Sequence, residues 1–353
     1  MNKRGWIIFS GILATMALII VTGVTAATLS DPETSTNNVV RAPNWYDWAW
    51  GYRKPVTVTS SAALTNYQLK LTVDTATLVT AGKMQSDGDD IRFTTSDGAT
   101  LCDYWLDSGI NTASTIIWVE VPSIASGSTT IYMYYSNASA TAVSNGTNTF
   151  IFFDDFESGV GAWTAVSAGA GRSFTQSSAQ QTHSTYSMYI DDGSTTSTYG
   201  VYAGFTSQSG TFTVDYDIRP VQNTMQEEMQ LRVTNNIGPR LRFSNTAGGS
   251  DIEYNNGGTW TNLPTATSYS ANTWYSFTLD DIRTGGSPDD TYDIYIDGSQ
   301  KANDVLWDAN RNSLNRIYFI SGTASETPKV YVDAVRVRQY TASVPSYVVG
   351  SEE

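Results

Sequence analysis

The stretch IYMYYSNASATAVSNGTNTFIFFDDFESG, residues 131–159, sets an aromatic strand, a polar connection and a second aromatic strand in immediate succession. Ile131 to Tyr135 and Phe150 to Phe156 are rich in the β-branched and aromatic side chains that pack on a pleated surface. Ser136 to Thr149 between them holds almost nothing that could be buried. The stretch therefore reads as a joint between two β domains, with the connection itself exposed. Two sequons, Asn137-Ala-Ser139 and Asn145-Gly-Thr147, make Asn137 and Asn145 candidate glycan acceptors if the chain is exported by a host that glycosylates.

On the N-terminal side of the joint, Trp48, Trp50 and Tyr52 fall on alternating positions, which predicts one strand face. Tyr67, Leu69, Leu71 and Val73 alternate with Gln68, Lys70, Thr72 and Asp74, a half-buried strand with a wet outer face. Ile91 to Thr95 and Leu101 to Leu106 flank Asp97-Gly98 and read as a hairpin. Ile117, Val119 and Val121 supply a further inward row, and only Ala76 to Lys83 reads as a short helix.

On the C-terminal side the alternation continues. It runs through Phe212, Val214, Tyr216 and Ile218, then Leu231 and Val233, then Leu241 and Phe243. Tyr275, Phe277 and Leu279 follow, then Tyr292, Ile294 and Ile296, with turns at Asn256-Gly257 and Asp297-Gly298. The row Val330, Val332, Val335 and Val337 changes phase, which predicts a bulge near Asp333-Ala334. Many short strands without intervening helices predict an all-β chain of two antiparallel, jelly-roll-like sandwiches.

The 353 residues suit two domains, with 34 acidic against 20 basic residues and a net charge of −14. That balance repels nucleic acid and anionic lipid. Cys102 is the only cysteine, so stability rests on sheet packing rather than an internal disulfide. Lys3 and Arg4 precede an uncharged apolar run from Trp6 to Ala27, read as a signal peptide or an uncleaved membrane anchor that follows an export route. The expected organisation is a leader (1–27), a polar stalk (28–44), a first domain (45–137), a linker (138–149), a second domain (150–341) and a polar tail (342–353).

Trp48 to Thr59 (WAWGYRKPVTVT), Ser86 to Thr94 (SDGDDIRFT) and Ile131 to Asn137 (IYMYYSN) resemble the domain of unknown function 2341 family, over about Trp45 to Asn137. The resemblance implies an exported, multidomain surface protein and carries no catalytic residue. The second half resembles the concanavalin A-like superfamily of lectin, glucanase and laminin-G-like modules. That likeness rests on the opening DDFESG with Trp163, the middle YDIYIDG and the closing VYVDAVRVR.

Modules of that kind often hold structural calcium where their termini meet. The resemblance thus points to Asp155 and Glu157 on the opening strand and Asp333 on the closing one as candidate Ca2+ ligands. The plain alternative is that these acids solvate a strand edge. Trp48, Trp50, Tyr52, Trp105 and Trp118 are aromatics of the first domain that stack on sugars or, more simply, pack a core. In the second domain the candidate ligand-binding set is Trp260, Tyr269, Trp274 and Tyr295, with Asn255, Asn256 and Asp293 as hydrogen-bonding neighbours. His183 is the only histidine, in a Thr-His-Ser turn, and neither a nucleophile elbow nor a Glu-x-Asp-x-x-Glu strand occurs. The expected function is non-catalytic carbohydrate binding or adhesion at a cell surface. A self-associating structural subunit is the alternative, and a polysaccharide hydrolase or lyase the third reading.

Overall fold

The computed structural model describes residues 44–353 except 168, 246–248, 265–267, 286–289, 308–310 and 324. The expected leader and nearly all of the expected stalk lie outside the described residues, as does Asp289, which with Asp290 and with Asp280-Asp281 reads in sequence as solvating turns. Among the described residues, no helix is long and apolar enough to cross a membrane.

Period-two alternation becomes antiparallel pairing throughout. In the first unit, Leu64–Val73 pairs with Thr115–Ile124, which pairs with Tyr104–Ser108, as a three-stranded sheet. Opposite it lies a five-stranded sheet in the order Ser346–Val349, Tyr52–Ser60, Gly127–Tyr135, Arg92–Thr95, Leu101–Cys102. Val56, Val58, Leu69, Leu71, Val119, Ile131 and Met133 close the core between them. The short helix read over Ala76 to Lys83 forms over Thr75–Thr80 and starts where Asp74 accepts the Thr77 N–H as N-cap.

Three expectations about this unit change. The hairpin forms around Asp97, whose carboxylate accepts the Ala99 and Thr100 N–H groups, but the chain changes sheets after Cys102, so Leu101 to Leu106 is not one strand. Trp48 and Trp50 precede the strand that opens at Tyr52; Trp48 is exposed in a turn and Trp50 is buried, donating Nε1–H to the Asp90 carbonyl. The expected polar tail returns to the first unit, where Ser346–Val349 pairs with Tyr52–Ser60 and sets Tyr347 and Val349 against the core. Tyr347 and Val349 turn inward while Ser346 and Val348 stay exposed, the in-and-out alternation of an edge strand with one covered face.

In the second unit an eight-stranded and a seven-stranded sheet enclose a core that includes Val214, Tyr216, Leu231, Phe277, Ile294, Phe319 and Val332. The eight-stranded sheet runs Arg172–Ser177, Ser187–Asp192, Lys329–Gln339, Thr211–Pro220, Tyr275–Arg283, Thr291–Ile296, Ser299–Leu306, and Phe152–Asp154 pairs with Lys329–Gln339. The seven-stranded sheet runs Thr259–Asn262, Asp251–Asn256, Asn236–Ser244, Glu227–Val233, Leu314–Ser321, Gly200–Gln208, Thr164–Ala165. The bulge near Asp333 is present: register shifts opposite Asp215 to Asp217, and Ala334 takes a φ of +49°.

The connection between the units is docked rather than free. Asn145 donates its N–H to the Tyr104 carbonyl, and Ser144 Oγ accepts the Leu106 N–H, so the segment lies along the strand Tyr104–Ser108. Asn145 then caps a one-turn helix, Gly146–Thr149, by accepting the Asn148 N–H. Trp105, Trp118 and Phe150 form a small buried cluster with Phe153 against it. These two tryptophans therefore pack a joint.

Candidate functional site

The seven-stranded sheet offers a polar and aromatic outer face. On Glu227–Val233, Met229 and Leu231 belong to the core, so Glu228, Gln230 and Arg232 point away from it. The same parity puts Arg240 and Arg242, Glu253 and Asn255, Arg316 and Tyr318, and Tyr202 on that face, beside strands whose inward residues are Leu241, Phe243, Ile252, Tyr254, Ile317, Phe319 and Val201.

Strand register then lines these side chains up in rows. Tyr202 stands opposite Tyr318, and Tyr318 opposite Gln230, which stands opposite Arg240. One row along, Glu228 stands opposite Arg242, and Arg242 opposite Glu253. A third row sets Gly204 opposite Arg316 and Arg316 opposite Arg232.

The rows are tied together by contacts at hydrogen-bond length. Tyr202 and Tyr318 stack with ring centroids 5.0 Å apart. Arg232 lies 4.1 Å over the Tyr318 ring, Arg316 5.0 Å over Tyr202, and Arg242 4.1 Å over Trp260. Gln230 donates Nε2–H to Glu228 at 2.6 Å and accepts from Arg232 Nε at 2.7 Å; Arg242 Nε donates to Glu253 at 2.6 Å. Though they face outward, Glu228 and Gln230 are only 6 % and 5 % exposed, because the larger side chains around them close over the row. Burial raises the Glu228 pKa, against the pull of Gln230, Arg240, Arg242 and Arg232.

Of the expected ligand-binding residues, Trp260 and Asn255 sit on this face and stand opposite each other. Asn255 is buried and accepts the Gly258 N–H, which fixes the turn beside Trp260; Asn256 is exposed at the end of the strand that enters that turn. Tyr269 is a core residue, its hydroxyl spent on the Asn223 carbonyl, and Trp274 is half-buried just before the strand Tyr275–Arg283. Tyr295 and Asp293 lie on the other sheet, where Asp293 accepts the Asp304 N–H. The structure therefore does not gather the seven into one site. Tyr202, Tyr318, Arg232, Arg240, Arg242 and Arg316 were absent from the sequence reading; their signal was the polar phase of strands whose apolar phase was read.

The expected calcium ligands are engaged otherwise. Asp333 Oδ2 accepts the N–H groups of Thr182 and His183 at 2.7 and 3.0 Å, and its Oδ1 that of Ala334 at 2.8 Å. Glu157 Oε1 accepts those of Thr185 and Tyr186 at 2.8 and 2.6 Å, and Asp155 accepts the Glu157 N–H. Among the described residues no group of three or more His, Cys, Asp or Glu side chains converges as a metal would require. Calcium wants about six to eight oxygens; instead Asp333, on the strand Lys329–Gln339, and Glu157, which lies with Asp155 in the turn after Phe152–Asp154 rather than on the expected opening strand, hold backbone N–H groups of the 178–186 loop. The arrangement does not fit a calcium ligand set. Burial pushes the Asp333 carboxyl up to about 6 despite those donors.

His183 belongs to the joint: its Nε2 is 2.8 Å from Asp107 of the first unit and its Nδ1 3.6 Å from Asp217. Asn145 is exposed but its side-chain oxygen caps the short helix, while Asn137 is half-buried with its oxygen on the Ser139 N–H.

The sequence matches a domain of unknown function, the 2341 family, over residues 87–166. That match begins later than the resemblance placed at Trp45 to Asn137 and runs through the joint into the second unit. No curated protein sequence matches the chain. Among solved structures, the cellulose-induced protein Cip1 aligns at 15 % identity and a TM-score of 0.40, over 53 % of this chain and 96 % of that one. Carbohydrate-binding module 66 from Bacillus subtilis aligns at 11 % and 0.34, over 50 % and 96 %. The family 11 carbohydrate-binding module from Clostridium thermocellum, in complex with a mixed-linked tetrasaccharide, aligns at 14 % and 0.33, over 54 % and 95 %. Identities and scores of this size assign neither ligand nor activity to this chain.

Proposed function

We propose that the protein is an exported, non-catalytic glycan-binding protein whose binding surface is the outer face of the seven-stranded sheet. The observation that supports this reading is the registered platform itself. Tyr202, stacked on the buried Tyr318, and Trp260 present ring surface, and four arginines present planar hydrogen-bonding groups beside it, two of them held by the buried Gln230 and Glu253. Sugars are recognised by that pairing, since their axial C–H groups stack on rings while hydroxyls take directional hydrogen bonds. A serine–histidine–acid triad is disfavoured by the one histidine, which is held between Asp107 and Asp217 at the joint. Export rests on the apolar run from Trp6 to Ala27, and a surface location on the same run.

The test is retention of the purified full chain on a panel of insoluble and immobilised polysaccharides, with calcium and with chelator. Selective retention that falls at least tenfold in Trp260→Ala and Tyr202→Ala, with melting temperature kept, is the expected result. Retention of no polysaccharide would sink the reading. Retention lost in chelator would return weight to a calcium site.

A further inference from the structure

Arg232 and Arg316 occupy directly opposed positions on neighbouring strands of the platform, both facing outward. Like charges placed so are destabilising unless something lies between or beside them. Among the described residues neither guanidinium has a carboxylate within salt-bridge distance: Arg232 donates to Gln230, and Arg316 donates to the Thr234 carbonyl and the Tyr318 hydroxyl, each at 3.4 Å. Glu228, whose charge acts on Arg232, reaches it through Gln230, which bonds to both. Burial lowers the Arg232 pKa, and the neighbouring Arg240 adds to the effect. In a chain with a net charge of −14, acids to neutralise the pair were abundant, yet among the described residues none makes a salt bridge with either arginine.

The floor beside the pair is open. Gly204 is exposed opposite Arg316, and a Cβ built on it would meet only the Asn315 carbonyl oxygen, at 3.9 Å. Next to that floor stand the stacked rings of Tyr202 and Tyr318. A planar anion over the two guanidiniums can take forked hydrogen bonds from both while the ring that carries it lies along Tyr202.

We propose that the Arg232 and Arg316 pair seats the anionic group of an acidic polysaccharide, a uronate carboxylate or a sulfate ester, on the outer face of the seven-stranded sheet. The proposal deepens the glycan reading of that face and rests on it. It makes this patch a site of opposite sign on an acidic protein, so that the ligand is attracted locally although the whole molecule repels polyanions.

The experiment compares retention of the full chain on a polyuronate, a sulfated polysaccharide, a neutral β-glucan and polyglutamate. The variants are Arg232→Gln, Arg316→Gln and Gly204→Glu, the last supplying an internal carboxylate beside Arg316 where space allows it. Expected are binding to the polyuronate or the sulfated polymer, the better one naming the anion, and a loss of about tenfold or more in every variant. Melting temperature should be kept or raised in all three, because each relieves the opposed charges; a plain structural role would lower it. Binding to neutral β-glucan that the arginine variants leave unchanged would overturn the proposal and keep the glycan reading. Equal binding to polyglutamate would overturn it as a sugar site, and no binding to any polymer would remove both readings.

Discussion

His183 sits where a single proton can be felt by two sheets. Burial lowers its pKa, but the hydrogen bond and charge of Asp107, with the charge of Asp217, outweigh burial and the opposing Arg336, and the net shift is upward. A histidine whose folded pKa is raised contributes stability that is fully present below its ordinary value of 6.5 and is lost as pH rises through the folded value. Thermal melts between pH 5.5 and 8.5 should therefore show stability falling with pH across that window, by at most about 1.4 kcal/mol for each unit. In His183→Gln that portion of the slope should vanish; an unchanged slope would place the titration elsewhere. Asp107 behaves oppositely, its pKa lowered by His183 and Arg336 against burial, so its contribution is lost only in acid. A second residue is decided by burial alone. Cys102 is 3 % exposed and burial pushes its thiol up to about 12, so alkylating reagents at pH 8 should leave it unmodified until denaturant is added.

Among the elements, the last strand shows how little sequence can carry how much structure. Ser346–Val349 completes the five-stranded sheet, and the residues after it reach back: Arg53 Nε donates to Glu353 at 2.7 Å, Tyr135 Oη donates to Glu352 at 2.7 Å, and Lys83 pairs with Glu352. Removing residues 343–353 takes two half-buried side chains, Tyr347 and Val349, from the core and leaves the nearly buried Arg53 short of its carboxylate. The loss is expected at about 2–3 kcal/mol, read as a lower denaturation midpoint, with new edge-to-edge aggregation along Tyr52–Ser60. An unaltered midpoint would show the strand to be an ornament of the fold. The tail was illegible in sequence because Tyr347, Val348 and Val349 run together without a period, over a stretch too short to detect one, and its partner lies almost 300 positions away. Strands with four apolar residues in phase, such as Phe212 to Ile218, were legible for the opposite reason. The platform was half legible: Trp260 and Asn255 announced themselves by a turn, whereas Arg232 and Arg316 looked like ordinary solvated positions until register set them face to face. Tyr269 failed as a site residue because its hydroxyl found a carbonyl inside the core.

At the scale of the whole molecule one arginine touches charged groups of both units. Arg336 lies 5.0 Å over the Trp118 ring and also faces Trp105 and Phe150, its Nε is 3.3 Å from Asp215 on the second unit, and its Nη1 is 3.7 Å from Asp107 on the first. Asp215 is further held by Arg338 at 2.8 Å, and its carboxyl lies well below the usual carboxylate range because these two charges overcome its complete burial. Gln68, read in sequence as wet, is buried there and accepts the Gln339 N–H at 2.8 Å. Such a contact couples the stabilities of the units, since unfolding either one strands charges buried against the other. Calorimetry of the full chain should accordingly give one transition. Arg336→Ala leaves Asp107 and Asp215 buried with weaker compensation and uncovers the Trp105, Trp118 and Phe150 cluster, at a cost of about 3–5 kcal/mol. That cost falls on the joint rather than on either core, so the variant should melt in two transitions, with the platform's polysaccharide retention unchanged below the first. A single transition displaced to lower temperature would mean that the cores themselves, and not the joint, set the cooperativity of the molecule.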